Sequence, residues 1–261
     1  MFDFHIHSNV SFDSSSEAAD IVAAAKAAGL REICFTDHYD FNVLDGNVPE
    51  FFELPRYAEV YDNLHPEGIA VRYGVEFGIM SDNAHELKDL LSKRNFDFVI
   101  GSVHTVDGFE IYGPPFWQKK TVTQCFREYL ETTLASVSAH SDFDVLGHLT
   151  YASKCPPNIE KKRIEYADFS DIIDEILATL VRKGKGLEIN TSGKDKLGTF
   201  LPDENIVRRF RELGGEIVTV GSDAHDAARV GQYSGEALDI CRDVFGYVCT
   251  FNNRQPVFHK L

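Results

Sequence analysis

Seven short apolar, β-branched runs alternate with longer helical patterns, and this alternation limits the possible folds more than any other feature of the chain. The runs are Phe2–Ile6, Glu32–Thr36, Ala70–Phe77, Phe98–Val103, Asp144–Gly147, Gly186–Ile189 and Glu216–Val220. Helical periodicity falls at Ser16–Ala28, Asn83–Lys93, Val122–Ser138, Asp168–Lys183 and Asp203–Leu213. The first of these has a serine-rich start and Gly29 at its end, the residue types that cap a helix. A last helix near Glu236–Val244 precedes Tyr247–Phe251 and Pro256–Phe258, which read as a closing hairpin. Alternation with no break in composition predicts a mainly parallel sheet in one α/β domain spanning residues 1–261. No eighth strand is evident. The expectation is therefore a distorted (β/α)7, TIM-like barrel, and the length suits a barrel of about 250 residues. The stretch Asp37–Pro66 carries aromatics and prolines without periodicity and reads as an elaborated loop beside the functional end.

The ends of the runs carry the chemistry. The first ends in His5-Ile6-His7, the second in Thr36-Asp37-His38 and the third in Gly74-Val75-Glu76. The fourth ends in Ser102-Val103-His104, the fifth in Gly147-His148, the sixth in Glu188-Ile189-Asn190 and the seventh in Ser222-Asp223-Ala224-His225. Residues two apart on a strand point the same way, so His5 and His7 can reach one metal ion. In a parallel barrel all these ends lie on one face, where barrel active sites form. Six histidines at strand ends are poorly explained as scattered structural residues. His65, His85, His140 and His259 lie off the strand ends, and for them the structural reading is preferred.

Imidazoles with carboxylates and no thiolate suit Zn, Mn or Fe better than Ca or Mg. One catalytic zinc uses about three protein ligands. About nine candidates converge here, enough for two or three divalent ions. Two ions bridged by a carboxylate form a hydrolytic arrangement. Glu76, taken as the only glutamate among the strand-end candidates, is the natural bridge.

Charge and composition narrow the partners. The formal net charge of -15 argues against long nucleic acids, whose affinity comes from Lys and Arg on phosphates. A small anionic substrate held by a local positive centre remains open. No apolar run approaches the roughly 18 residues of a membrane span, and the start, MFDFHIHS, lacks signal-peptide character. Five scattered cysteines without a C-x-x-C pair read as free thiols. The expectation is a cytoplasmic protein without a membrane partner; the oligomeric state is not legible.

Taken in order, HIH at 5–7, TDH at 36–38, GVEFG at 74–78, IGSVH at 100–104, GHL at 147–149, LEINTSG at 187–193 and GSDAH at 221–225 form a set. This set resembles the PHP (polymerase and histidinol phosphatase) family over nearly the whole chain. Within the family it is most similar to histidinol-phosphate phosphatases. The resemblance implies three metals in a distorted (β/α)7 barrel. Carried onto matching positions, His5, His7, Glu76 and Asp223 would hold the first. Glu76, His104 and His148 would hold the second. His38, His225 and an acid soon after the first strand would hold the third. Asp13 is chosen for that acid; otherwise it is a helix-start turn residue. Glu76, Asp223, His225 and Asp13 are the catalytic candidates.

Two positions depart from close phosphatase relatives. Thr150 and Lys154 follow GHL where Asp and Arg are common, and Lys194 and Lys196 flank Asp195 where an Arg is common. A lysine holds phosphate as a point charge, not as a bidentate fork. Lys154, Asn190, Lys194, Lys196 and, failing the lysines, Arg229 are the substrate-binding candidates. Ordinary surface residues are the plain alternative for the lysines. The implied activity is hydrolysis of a small phosphomonoester, with L-histidinol phosphate leading. A phosphoesterase of nucleotides or short oligonucleotides and a noncatalytic metal-binding module are the rivals.

Overall fold

Burial of whole strands accounts for the lack of polarity before their ends. Every residue is buried in Phe2–Ile6 (β1), Glu32–Phe35 (β2), Phe98–Ser102 (β4), Val145–Leu146 (β5), Gly186–Asn190 (β6) and Val218–Gly221 (β7). Ala70–Gly78 (β3) starts exposed and is buried from Gly74 onward. Strands covered on both faces are expected to read as apolar runs. The computed structural model describes residues 1–41, 50–155, 157 and 162–261.

The strands pair in chain order, β1 to β7, each parallel to the next. The sheet curls until β7 meets β1. There the ladder is reduced to one bridge, Ile6 with Ala224. His7 N donates to Ala224 O at 2.9 Å and Asp223 N to His5 O at 2.8 Å. The buried Asp3 carboxylate reinforces this seam by accepting the Ser222 and Gly231 amides, each at 2.8 Å. The result is a nearly closed seven-stranded barrel.

Helices Ala18–Ala27 (α1), Leu54–Tyr61 (α2), Ala84–Lys93 (α3), Val122–Ala139 (α4), Tyr166–Arg182 (α5), Glu204–Glu212 (α6) and Ser234–Val244 (α7) alternate with the strands. Thr121 and Gln124 close a capping box on α4, and Asp203 caps α6 through the Asn205 and Ile206 amides. The serine-rich start of α1 does something else. Its N-cap is Glu17, with no side-chain cap. Ser14 instead donates to His225 O at 2.9 Å, and Ser16 Oγ accepts the Ala227 amide at 3.1 Å. These serines tie the β1 loop to the β7 loop. Gly29 does act as expected, ending α1 at a φ of 69° that costs glycine little.

The stretch 37–66 is more ordered than a loop. His38–Asp40 forms a short strand parallel to the end of β3, pairing with Glu76 and Phe77, and antiparallel to Glu50–Phe51. Helix α2 follows. Residues 42–49 of this stretch lie outside the described residues. The closing hairpin, Tyr247–Asn252 with Gln255–Lys260, forms as expected. It covers the end of the barrel where strands begin: Phe251 packs on Phe98 at 4.7 Å, and Arg254 N donates to Asp97 O at 2.8 Å. The opposite end is left for the site. No helix is long and apolar enough to cross a membrane among the described residues.

Candidate metal centre

Strand ends deliver three groups of ligand-type atoms to one place. In the first, His5 Nε2 lies 3.1 Å and His7 Nε2 3.4 Å from Glu76 Oε2. Asp223 Oδ1 stands 3.7 Å and 3.4 Å from the same two nitrogens. In the second, Glu76 Oε1 is 2.8 Å from His148 Nε2 and 3.4 Å from His104 Nε2. In the third, Asp13 Oδ2 is 2.9 Å from His225 Nε2 and 3.6 Å from His38 Nε2. All nine residues proposed as ligands from sequence are brought together, with Glu76 between the first two groups. A fifth nitrogen at the junction, His38 Nδ1, is 3.1 Å from Glu76 Oε2.

Local backbone makes this convergence possible. Gly221 gives up a side chain where a Cβ would strike His5 and Glu188. Asp223 sits at φ 56°, a left-handed conformation that aspartate tolerates better than most residues. Such positions persist where the surroundings over-determine them, as the seam bonds of Ser222 and Asp223 do here.

The atoms at the centre lack partners of their own. His5 Nε2, His7 Nε2 and Glu76 Oε2 are buried and make no hydrogen bond among the described residues. His104 and His148 face each other through Nε2 atoms 3.4 Å apart, and so do His225 and His38. Two imidazole lone pairs aimed at one point repel unless a cation lies between them. Four sets of three such residues have donor atoms within 4.8 Å of one another. The residues therefore fit divalent metal ions, with imidazole and carboxylate donors and no thiolate.

Outer partners leave Nε2 free. His5 Nδ1 is 2.6 Å from Glu188 Oε1, His7 Nδ1 3.1 Å from Ser11 Oγ and His225 Nδ1 3.0 Å from Asp223 O. One carboxylate serves two rings: Asp40 Oδ1 is 2.9 Å from His104 Nδ1 and Oδ2 is 3.2 Å from His38 Nδ1. Such contacts fix the tautomer and orient the ring. Sequence reasoning missed these groups. Glu188 corrects the reading of Glu76 as the only strand-end glutamate; it turns both oxygens inward, the second accepting the His148 amide at 2.8 Å. Its signal was the alternation Glu188-Ile189-Asn190. The signal for Asp40 was its two-residue spacing from His38, hidden by the loop assignment.

The field of the site favours ionised carboxylates and raises His5, His38, His104 and His225, whereas burial, with His225 and His38 nearby, pushes His7 well down. Burial would raise Asp40, but His104 and His38 outweigh it and hold the carboxyl at about 2. Burial would lower His38, yet Glu76, Asp40 and Asp13 lift it to about 9. Glu76 and Asp223 are likewise held well below the usual range: burial opposes this, and the histidines around them, with Lys154 beside Asp223, prevail.

A cavity of about 460 Å³ opens above these groups, with Phe12, Tyr112, Tyr151 and Lys154 on its walls. Lys154 Nζ lies 3.0 Å from Asp223 Oδ2 and 2.7 Å from Ser192 Oγ. The other basic candidates do not line this cavity. Lys194 pairs with Glu236 at 2.8 Å, Lys196 donates to Lys154 O at 2.6 Å and Arg229 pairs with Asp195 at 3.0 Å. Asn190 is buried below the cavity, where its Oδ1 accepts the Ser192 hydroxyl at 2.6 Å. His140 is held by Met80 O at 2.8 Å and Asn83 Oδ1 at 2.9 Å, as suits a structural histidine.

Comparison with known proteins agrees with this geometry. The PHP domain profile matches residues 3–192. The histidinol-phosphatase of Lactococcus lactis is 37% identical over 234 residues, 87% of this chain and 85% of that one. A probable histidinol-phosphatase of Thermotoga maritima is 33% identical, covering 91% of this chain and 90% of its own. The crystal structure of the Lactococcus lactis histidinol phosphate phosphatase with zinc, L-histidinol and phosphate superposes with a TM-score of 0.90 at 32% identity, covering 98% of both chains. The chain belongs to the PHP domain family, among its histidinol-phosphatases.

Proposed function

We propose that the chain hydrolyses L-histidinol phosphate to L-histidinol and inorganic phosphate, using three divalent metal ions with zinc, manganese or iron as the candidates. The observation that carries this reading is the buried junction at Glu76, where unpartnered imidazole and carboxylate atoms from separate strands face one another. The likeness to a phosphatase holding zinc, L-histidinol and phosphate, over 98% of both chains, supports the substrate.

His5, His7, Glu76 and Asp223 would hold one ion, Glu76, His104 and His148 a second, and Asp13, His38 and His225 a third. Bound divalent ions supply electrophilic stabilisation to phosphoryl oxygens and make water more acidic. Lys154 offers the cavity a positive charge for the phosphate. Asp223 turns Oδ1 toward His5 and His7 and Oδ2 toward Lys154. In this reading its carboxylate would take the proton of the attacking water. Asp13 and His225 are partly exposed, and in this reading they would act on the departing alcohol.

The test is phosphate release by metal-reconstituted protein. L-histidinol phosphate should outpace a nucleoside monophosphate, a simple alkyl phosphate and a phosphodiester in kcat/KM. Preference for the nucleotide or diester would replace the substrate assignment, and no turnover of any ester would leave a metal-binding module.

A further inference from the structure

Behind the first group of ligands, the contact between His7 and Ser11 continues into a buried hydrogen-bonded chain. It starts at His7 Nδ1, 3.1 Å from Ser11 Oγ. Ser11 Oγ donates to Asp37 Oδ1 at 3.1 Å and accepts the His38 backbone N–H at 3.0 Å. Asp37 Oδ1 also accepts the Ser8 amide at 2.8 Å, and Oδ2 accepts the Tyr61 phenol. Ser11, Asp37 and Tyr61 are 4%, 0% and 1% exposed, so no bulk water competes for these groups.

We infer that Ser11, held by Asp37 and Tyr61, is a positioning residue that fixes the tautomer of His7. A serine hydroxyl has one hydrogen and two lone pairs. The backbone N–H of His38 can only donate, so it occupies one lone pair. Asp37 draws three donors, and the hydroxyl hydrogen goes to it. Only the second lone pair is left facing His7, so His7 Nδ1 must carry its hydrogen. Nε2 is then the lone-pair nitrogen, aimed at Glu76 and Asp223. A neutral imidazole without this constraint is free to adopt the other tautomer, which presents N–H to the centre and cannot bind a cation there. The same hydroxyl holds the backbone of His38, so one oxygen serves residues of two groups. The far anchor, Tyr61, belongs to α2, outside the ligand-bearing strand ends.

The inference rests on the metal reading of the site but not on the substrate. The experiment follows metal retention by the holoprotein under competition with a chelator, with ions per chain counted by elemental analysis. Ser11→Ala should weaken retention of one ion by about 10–100-fold, the usual cost of losing an outer-sphere partner. Ser11→Thr keeps the hydroxyl and should restore most of the retention. Tyr61→Phe, which leaves Asp37 intact, should give a smaller loss. Long-range 1H–15N spectra of the histidine rings should show His7 with hydrogen on Nδ1 in the parent and in Ser11→Thr. Unchanged retention by a folded Ser11→Ala, or a His7 ring with hydrogen on Nε2 in the parent, would overturn the positioning role. A parent protein that holds no metal would overturn the site reading itself. Should Ser11→Ala fail to fold, Tyr61→Phe and Ser11→Thr carry the comparison, and equal retention in Tyr61→Phe and parent counts against the chain of bonds.

Discussion

Lys154 Nζ lies 3.0 Å from Asp223 Oδ2, a cation resting on a carboxylate whose other oxygen faces His5 and His7. Of the four basic side chains singled out in the sequence, it is the one that lines the cavity. Lys154→Met keeps the hydrocarbon stem and removes the charge. A lost charged hydrogen bond costs roughly 1.5–3 kcal/mol, so kcat/KM should fall about tenfold or more, and by a similar factor for every phosphomonoester. Measuring three esters distinguishes a phosphate contact from an alcohol contact. A loss confined to one ester would assign Lys154 to the alcohol, and no loss would remove it from the site.

Glu76→Gln replaces the shared carboxylate with a neutral group of nearly the same shape. Turnover should drop by about 10²-fold or more, in line with other losses of electrostatic stabilisation. Metal content should fall with it, because both of the first two groups lose their common oxygen. The metal-free Tm should change far less than activity. Full activity with full metal content would refute the bridge.

Removal of metal should abolish activity, and zinc, manganese or ferrous iron should restore it. Among the described residues, no cysteine or serine lines the cavity to take over. Dialysis against chelator, followed by elemental analysis and re-addition, checks this. Persistent turnover in protein shown to be metal-free is the contrary result.

The metal-free protein should respond to pH in a specified direction. His38 is lifted to about 9, above the roughly 6.5 of an unfolded histidine. Its stabilising contribution is complete below about 6.5 and is lost as pH rises through about 9. Asp40 is held at about 2, below the roughly 3.9 of an unfolded aspartate. Its contribution is present above about 3.9 and is lost as pH falls through about 2. Metal-free Tm should therefore decline between about pH 6.5 and 9, and His38→Gln should flatten that decline. Metal-loaded protein should show the reverse at the acid side, because protons displace cations from imidazole. Parallel Tm curves for parent and His38→Gln above pH 6.5 would contradict the assignment.

The barrel and the convergence of its candidate ligands were legible because both follow strict periodicities. Strands buried on both faces read as apolar runs, and a parallel barrel puts every polar strand end on one face. The outer partners were harder to read. Asp40 belongs to a three-residue strand inside a segment without periodicity, and its role depends on reaching His38 and His104 at once. Ser14 and Ser16 look like helix caps in sequence, yet the β7 loop competes for them and wins. Lys194 and Arg229 sit at suggestive positions, but Glu236 and Asp195 hold them away from the cavity. Partners of this kind are set by tertiary proximity, which a linear pattern does not record.

The seam between β1 and β7 has a further consequence. A single ladder bridge and the Asp3 carboxylate close it. His5, His7 and Asp223 stand on its two lips. Any fluctuation that parts these lips also pulls apart the first ligand group. Amide exchange at His7 and Asp223, whose N–H groups cross the seam, should therefore slow when metal is bound, the cation acting as a rivet through the last joint of the barrel. Loss of that ion and the first opening of the fold should then coincide.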